Sequence, residues 1–333
     1  MVIDIFNGDA DGIFALLQWR KVHPLPEQAD THMLVTGVKR DHALLQQVSA
    51  NDLASAELNL FDLPFDKNSQ ALQACIDQVA AVFYCDHHHS DQLFTHPKLN
   101  TLIETGASVC TGLLVDRLIQ GQHRLWALAA AYGDNLDAVA TQLAIEQGLS
   151  PTQQSQLQRL GWLVNYNSYG TQVSDLHLTP ADLYQQLCHY DSPFAVIDDS
   201  SSAYQLLDQG FTQDIARAEQ TQPSHSSSHV MLVDLGEEPW GRRISGSFAN
   251  LLARRHPGKA IVVATQNPYS ERQGESLTIS LRAPQHHLSG ANQLCSAFNG
   301  GGRAGAGGVN DLPTAQLDDF VRQVDDYYRT YQL

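Results

Sequence analysis

The sequence predicts a two-domain α/β protein: a doubly wound parallel sheet first, then a smaller α/β unit, with a cleft between them. Three observations carry that expectation. Short apolar runs alternate with amphipathic stretches from Val2 to Ile119, and strands separated by helices argue for a parallel sheet. At 333 residues the chain is long for one ordinary domain and about right for two. Finally, Pro223-Ser224-His225-Ser226-Ser227-Ser228-His229 is polar, shows no periodic apolar face and reads as a linker. The expected division is a first domain over 1–195, a linker over 196–228 and a second domain over 229–333.

The elements follow in order. Val2-Ile3-Asp4-Ile5-Phe6 reads as a strand, Gly12 to Lys21 as a helix, Met33 to Val38 as a strand and Asp41 to Val48 as a helix. Next come a strand at Leu58 to Phe61, a helix from Ser69 to Val79, a strand at Ala81 to Tyr84 and a helix from Ser108 to Ile119, with Ser108 as its cap. From Leu125 to about Tyr190 the pattern is mostly helical. Beyond the linker, strands are expected at Val230 to Val233, Ala260 to Ala264 and Leu277 to Leu281, a helix at Ser247 to Arg255, and a glycine-rich loop at Gly300 to Gly308.

Composition narrows the function classes. Five cysteines without a C-x-x-C suggest neither a disulfide framework nor a thiolate zinc site. No apolar run approaches a membrane span, and Met1-Val2-Ile3-Asp4-Ile5 lacks the zones of a signal peptide, so a soluble cytoplasmic protein is expected. A net charge of −16 would repel a long nucleic acid, whose binding depends on many Lys and Arg contacts. Any nucleic-acid ligand should therefore be short, and held by local positive groups and metal ions.

Acidic residues gather at element ends. The first strand leads into Asn7-Gly8-Asp9-Ala10-Asp11-Gly12, the third ends at Asp62, the fourth at Asp86-His87-His88, and the segment Ala127 to Tyr132 at Gly133-Asp134-Asn135. The strand-borne acids would converge on one edge of a parallel sheet. Taken alone, Asp-x-Asp-Gly is more often a turn or a helix cap, and a His pair is usually surface or core. Their coincidence favours a metal site. So many carboxylates would repel one another unless cations neutralised them, and an oxygen-rich set with an imidazole suits Mn²⁺ or Mg²⁺. Two such ions can activate water and stabilise both oxygens of a phosphoryl displacement, which makes phosphoester hydrolysis the natural reaction.

These four motifs resemble those of the DHH phosphoesterase superfamily. The run Leu277-Thr278-Ile279-Ser280-Leu281-Arg282, followed by Phe298-Asn299-Gly300-Gly301-Gly302-Arg303-Ala304-Gly305-Ala306-Gly307-Gly308, is similar to its DHHA1 substrate domain. The resemblance implies that Asp9 binds one metal and Asp11 the other, that Asp62 bridges them, and that His87 and Asp134 complete the ligands of the second metal. It implies that Asp86 orients a histidine and that His88 faces the scissile phosphate, as donor or general acid. Two departures stand out: Ile5 and Asn7 occupy positions where relatives carry a metal-binding His or an extra acid.

In the second domain the resemblance assigns the substrate's phosphate or terminal nucleotide to Gly300, Gly301 and Gly302, with Arg303 where the family usually has His. A guanidinium grips phosphate or the O6/N7 edge of guanine with two parallel hydrogen bonds. Ser280 and Arg282 share one strand face and suit a second phosphate contact. Glycine runs are also common in plain turns. Lys39-Arg40 reads either as a further phosphate contact, through Arg40, or as an exposed charged pair. Asn165-Tyr166-Asn167-Ser168-Tyr169-Gly170 could stack on a base or simply end a helix.

The expected activity is hydrolysis of short linear nucleotides, dinucleotides above all, to mononucleotides by a two-metal phosphodiesterase. The candidate substrate is pGpG, the linear product of cyclic di-GMP. The alternatives are hydrolysis of pyro- or polyphosphate or of 3′-phosphoadenosine phosphate, and a nucleotide-binding sensor without turnover. Expected partners are the nucleotide and Mn²⁺ (two ions, or Mg²⁺), with no membrane and with a homodimer left open.

Overall fold

Val2–Phe6 is buried along its whole length, as a central strand of a parallel sheet covered on both faces must be. The computed structural model describes residues 1–25, 31–272 and 275–330. It divides into two units, residues 1–168 with 172–209 and residues 169–171 with 210–333.

The first unit begins β1 (Val2–Phe6), α1 (Ala10–Val22), β2 (His32–Thr36), α2 (Ala50–Leu53), β3 (Glu57–Phe61), α3 (Phe65–Cys75), β4 (Ala81–Asp86), β5 (Leu99–Ile103) and α4 (Thr111–Leu118). Helices α5 (Arg124–Gly133), α6 (Asp137–Glu146), α7 (Pro151–Asn167), α8 (Pro180–Cys188) and α9 (Pro193–Asp198) follow, and then α10 (Ala203–Gln220). The sheet is parallel throughout, in the order β2-β1-β3-β4-β5. Chain direction across the sheet reverses between β1 and β3, and ligands of open α/β sheets bind outside the carboxyl ends of strands at such a point.

Alternation sorts the side chains. Ile3, Ile5, Leu58, Leu60, Val82 and Tyr84 form one buried cluster with Leu44, Phe65 and Leu72. On β1 the alternate residues are Asp4 and Phe6, and α1 is packed between β1 and the helices α4 and α5. Asp4 is fully buried, accepting from Arg20 Nε at 2.7 Å and Asn59 Nδ2 at 3.0 Å and lying 2.8 Å from His32 Nε2.

Several boundaries differ from expectation for identifiable reasons. The helix expected over Asp41 to Val48 is a 3₁₀ turn at Leu44–Gln47 followed by α2. Asn68 Oδ1 satisfies the Leu45 N–H and Ser49 caps α2, so the backbone needs no longer helix. Helix α3 starts earlier than Ser69, directly after Pro64, and α4 starts at Thr111, so Ser108 is not its cap. Strand β5, expected nowhere, is a half-exposed edge strand. Most of the segment 196–228, expected as a linker without a periodic apolar face, is α10, with Ala203, Leu207, Asp214 and Ala218 buried at helical spacing; the two units divide inside that helix, at Gln209 and Gly210.

The second unit contains β6 (His225–Ser226), β7 (Val230–Asp234), α11 (Pro239–Arg255), β8 (Ala260–Gln266), β9 (Ser276–Arg282), α12 (Ala291–Ser296), β10 (Gly301–Arg303), β11 (Ala306–Pro313) and α13 (Leu317–Arg329). Its mixed sheet runs β10-β11-β9-β8-β7-β6, with β7 and β8 parallel and the other pairs antiparallel. One face is sealed by Phe320, Val321, Val324 and Tyr328 of α13. The stretch Gly300 to Gly308 is a β-hairpin rather than a loop. A Cβ on Gly300 would lie 2.2 Å from the Gly308 carbonyl oxygen, and Gly302 has φ 139°, so side chains are excluded where the two strands meet. Among the described residues all five cysteines are free, and no helix is long and apolar enough to cross a membrane.

Candidate metal centre

Each acid is placed by the element it ends. Asp9 is the N-cap of α1, its Oδ1 accepting the N–H groups of Asp11 at 3.0 Å and Gly12 at 3.2 Å. Its Oδ2 accepts from Lys39 Nζ, which also donates to Asn165 Oδ1 at 3.0 Å. Burial opposes ionisation of Asp9, but Lys39 outweighs it and holds the carboxyl at about 2.

Asp11, in the first turn of α1, reaches across to another helix. Its Oδ2 accepts the Thr111 N–H and its Oδ1 the Gly112 N–H, both at 2.7 Å, so its carboxylate caps the N-terminus of α4. The anion at this helix N-terminus is thus Asp11 itself.

Asp62 follows β3 with a left-handed backbone, φ 58°, a conformation more accessible to Asp than to most side chains. Its Oδ1 accepts from Thr111 Oγ1 at 3.2 Å and stands 3.4 Å from His87 Nε2. His87 Nε2 is 3.8 Å from Asp11 Oδ2. Burial first, then the charges of Asp11, Asp9, Asp86 and Asp134, push Asp62 well above the usual carboxylate range.

Asp86, fully buried at the end of β4, accepts from or donates to His88 Nδ1 through Oδ1 at 2.7 Å, according to protonation. Burial disfavours a charged His88, yet the Asp86 bond and the charges of Asp86, Asp11 and Asp9 more than offset it, and the pKa rises. His42 lies near this ring, centroids 6.3 Å apart and planes tilted by 47°, and its pKa is lowered by burial and by His88. Asp134 is the C-cap of α5; burial and then Asp11 raise it to about 6.

These residues fit one divalent ion. Asp62, His87 and His88 each offer a ligand atom, all within 4.8 Å of one another. The His88 nitrogen near Asp62, 4.0 Å away, is Nδ1, already committed to Asp86, which separates its task from that of His87. The buried oxygens Asp86 Oδ2 and Asp134 Oδ2 have no hydrogen-bond partner, a costly state for carboxylates unless a cation faces them. Asp62, His87, Asp11 and Asp134 would hold the ion. A second ion at Asp9 fits poorly, since one Asp9 oxygen is bonded to two N–H groups and the other to an ammonium.

Six of the remaining expected residues, Ser280, Arg282, Gly300, Gly301, Gly302 and Arg303, belong to the second unit. Ser280 is buried in β9, and Arg282 turns onto α11, donating to Asn250 Oδ1 at 2.5 Å and to the Gly246 carbonyl at 3.3 Å. Neither of those partners is charged, and burial lowers the Arg282 pKa. Gly301, Gly302 and Arg303 form the edge strand β10, with Gly300 just before it and Arg303 exposed. Arg40 is half-buried beside Lys39. Asn167 is structural, bonding Leu178 and His177 backbone, and Tyr166 bonds His177. Thr111, Gly112 and Asn165 join the centre by contacts that residue type alone does not signal.

No family model matches the chain, and no curated protein matches it by sequence. Solved structures do. The chain is similar to a DHH-domain member of the s1p family of ribosomal proteins at 12% identity, TM-score 0.61, over 98% of this chain and 86% of that one. It is similar to the pGpG-specific phosphodiesterase PggH from Vibrio cholerae at 13% identity, TM-score 0.56, over 99% of both chains. It is also similar to exonuclease RecJ bound to manganese at 14% identity, TM-score 0.55, over 99% and 90%. With its parallel sheet, its mixed second sheet and its acids at the switch point, the chain has the fold of the DHH-domain proteins.

Proposed function

We propose that this protein is a divalent-metal-dependent phosphoesterase that hydrolyses short linear nucleotides, with pGpG as the first substrate to test. The observation that carries the reading is the convergence of Asp9, Asp11, Asp62, Asp86 and Asp134 with two imidazoles, including two buried carboxylate oxygens, Asp86 Oδ2 and Asp134 Oδ2, that have no hydrogen-bond partner among the described residues. A bound Mn²⁺ or Mg²⁺ would polarise a phosphoryl oxygen and lower the pKa of its water. Asp86 fixes the His88 ring by Nδ1 and leaves Nε2 to face the phosphate. The raised pKa of His88 favours the protonated ring, which can donate a proton to the departing oxygen.

The net charge of −16 supports a short substrate over a long one. Exposed Arg303, on an edge strand whose outward backbone N–H groups lack a strand partner, supports a nucleotide-holding role for the glycine hairpin. That arginine and the likeness in fold to PggH favour guanine. The test is turnover of pGpG, pApA, cyclic di-GMP, 3′-phosphoadenosine phosphate and pyrophosphate on protein of known metal content. Equal rates on pGpG and pApA would remove the guanine preference. Nucleotide binding without turnover of any of them would replace the enzyme by a sensor.

A further inference from the structure

Lys39 is held more firmly than an exposed charged residue needs to be. Its backbone N–H donates to the Ser168 carbonyl at 3.0 Å, and its carbonyl accepts from Asn7 Nδ2 at 3.3 Å. The turn that contains it is closed by Asp41, whose Oδ2 accepts the Val38 N–H at 3.0 Å and whose N–H donates to the Val38 carbonyl at 2.9 Å. Asn165 Oδ1, 3.0 Å away, aims the ammonium at Asp9 Oδ2. β1, β2 and α7 thus all contribute residues that fix one cationic side chain on one carboxylate.

The residues around Asp9 serve the same end. Asn7 is used twice, its Oδ1 accepting the Asp9 N–H at 3.2 Å while its Nδ2 holds the Lys39 carbonyl. Ile5 belongs to the buried apolar cluster and offers no ligand atom. Three acceptor positions of the Asp9 carboxylate are taken, by Asp11 N–H, Gly12 N–H and Lys39. A divalent ion on the remaining lone pair would face an ammonium bound to the same group, and like charges so placed repel. Asp62 and His87 are instead held by Thr111, by each other and by Asp11.

We infer that Lys39 takes the place of one metal ion, so that the centre holds a single divalent ion opposite a built-in ammonium. The inference rests on the metal-centre reading above and differs from it in the count. Lys39 supplies a cation on Asp9 that is part of the chain itself. It does so without the metal–metal spacing of about 3.5–4 Å that a two-ion site imposes.

The test is a metal count on the full chain. Protein stripped by a chelator is equilibrated with Mn²⁺, freed of unbound ion, and analysed for manganese per chain and by electron paramagnetic resonance. One ion per chain with the six-line spectrum of an isolated Mn²⁺ supports the inference. Two ions per chain with an exchange-coupled spectrum overturn it, and no bound ion at all overturns the metal-centre reading instead. In Lys39→Ala and Lys39→Met, shown folded by circular dichroism, the count should rise from one towards two with coupling appearing. A folded variant that stays at one ion would overturn the role of Lys39. If neither variant folds, the wild-type count decides.

Discussion

Asp134 gives a prediction whose size follows from its surroundings. In the metal-free protein its pKa is raised from the ordinary 3.8 to about 6, chiefly by burial and by Asp11. A group raised in the folded state stabilises most below its unfolded pKa, and that stability is lost as the pH climbs through the folded value. The full loss, from acid to pH 8, is about 3 kcal/mol. Roughly half of it has already gone by pH 5, where the unfolded carboxyl is ionised and the folded one is not. Asp134→Asn places a neutral amide in the same space and carries no such burden. Metal-free wild type should therefore lose about 1.5 kcal/mol relative to the variant between pH 5 and pH 8. Urea unfolding reads this through tryptophan fluorescence, since Trp19, Trp126 and Trp162 lie in the first unit. Added Mn²⁺ at pH 8 should stabilise the wild type more than the variant, because the ion binds the ionised carboxylate. If the difference between the two proteins is the same at both pH values, Asp134 does not sit in the electrostatic field described.

Other expectations are equally direct. His88→Ala should lower kcat by about 10²–10⁴-fold, whereas Asp86→Asn should retain some turnover but move the alkaline limb of the pH–rate profile to lower pH, because the group that raises the His88 pKa is gone. Asp4→Ala leaves Arg20 and His32 without their buried partner and should cost about 3–5 kcal/mol in denaturant unfolding. Gly302→Ala forces a side chain into φ 139° and should destabilise the second unit by about 1–3 kcal/mol, seen by Trp240 fluorescence, while manganese binding is unchanged.

The inner strands of the parallel sheet were legible because they are buried on both faces and so read as largely apolar runs between turns, as Val2–Phe6 does apart from Asp4. Leu99–Ile103 was not, since an edge strand with exposed Asn100 and Thr101 lacks that pattern. Helix α10 escaped notice because its apolar face is narrow, with the acid Asp214 buried among Leu207 and Ala218; the salt bridge from Arg243 to Asp214 at 2.9 Å compensates a charge that periodicity counts as polar. The acids of the centre could be found because their chemistry lies in residue type and position at strand ends. Thr111 and Gly112 could not, because they act largely through backbone N–H groups that any residue carries. Lys39 and Arg40 looked alike as a charged pair, and only the packing of Asn165 and Asp9 around one of them separates their roles.

Asp11 ties the chemistry to the scaffold in a way that matters to anyone preparing an inactive form. Its two oxygens close the first turn of α4, so exchanging it for asparagine would point an amide N–H₂ at a backbone N–H and loosen the helix that also supplies Thr111 to Asp62. A protein silenced at that position would be silent for two reasons at once, and a nucleotide trapped on it would rest on a rearranged floor. His88 lies beyond this brace, half open to solvent with Asp86 as its hydrogen-bond anchor. Silencing the molecule there leaves the acid cradle standing and makes it the better position from which to capture a substrate in place.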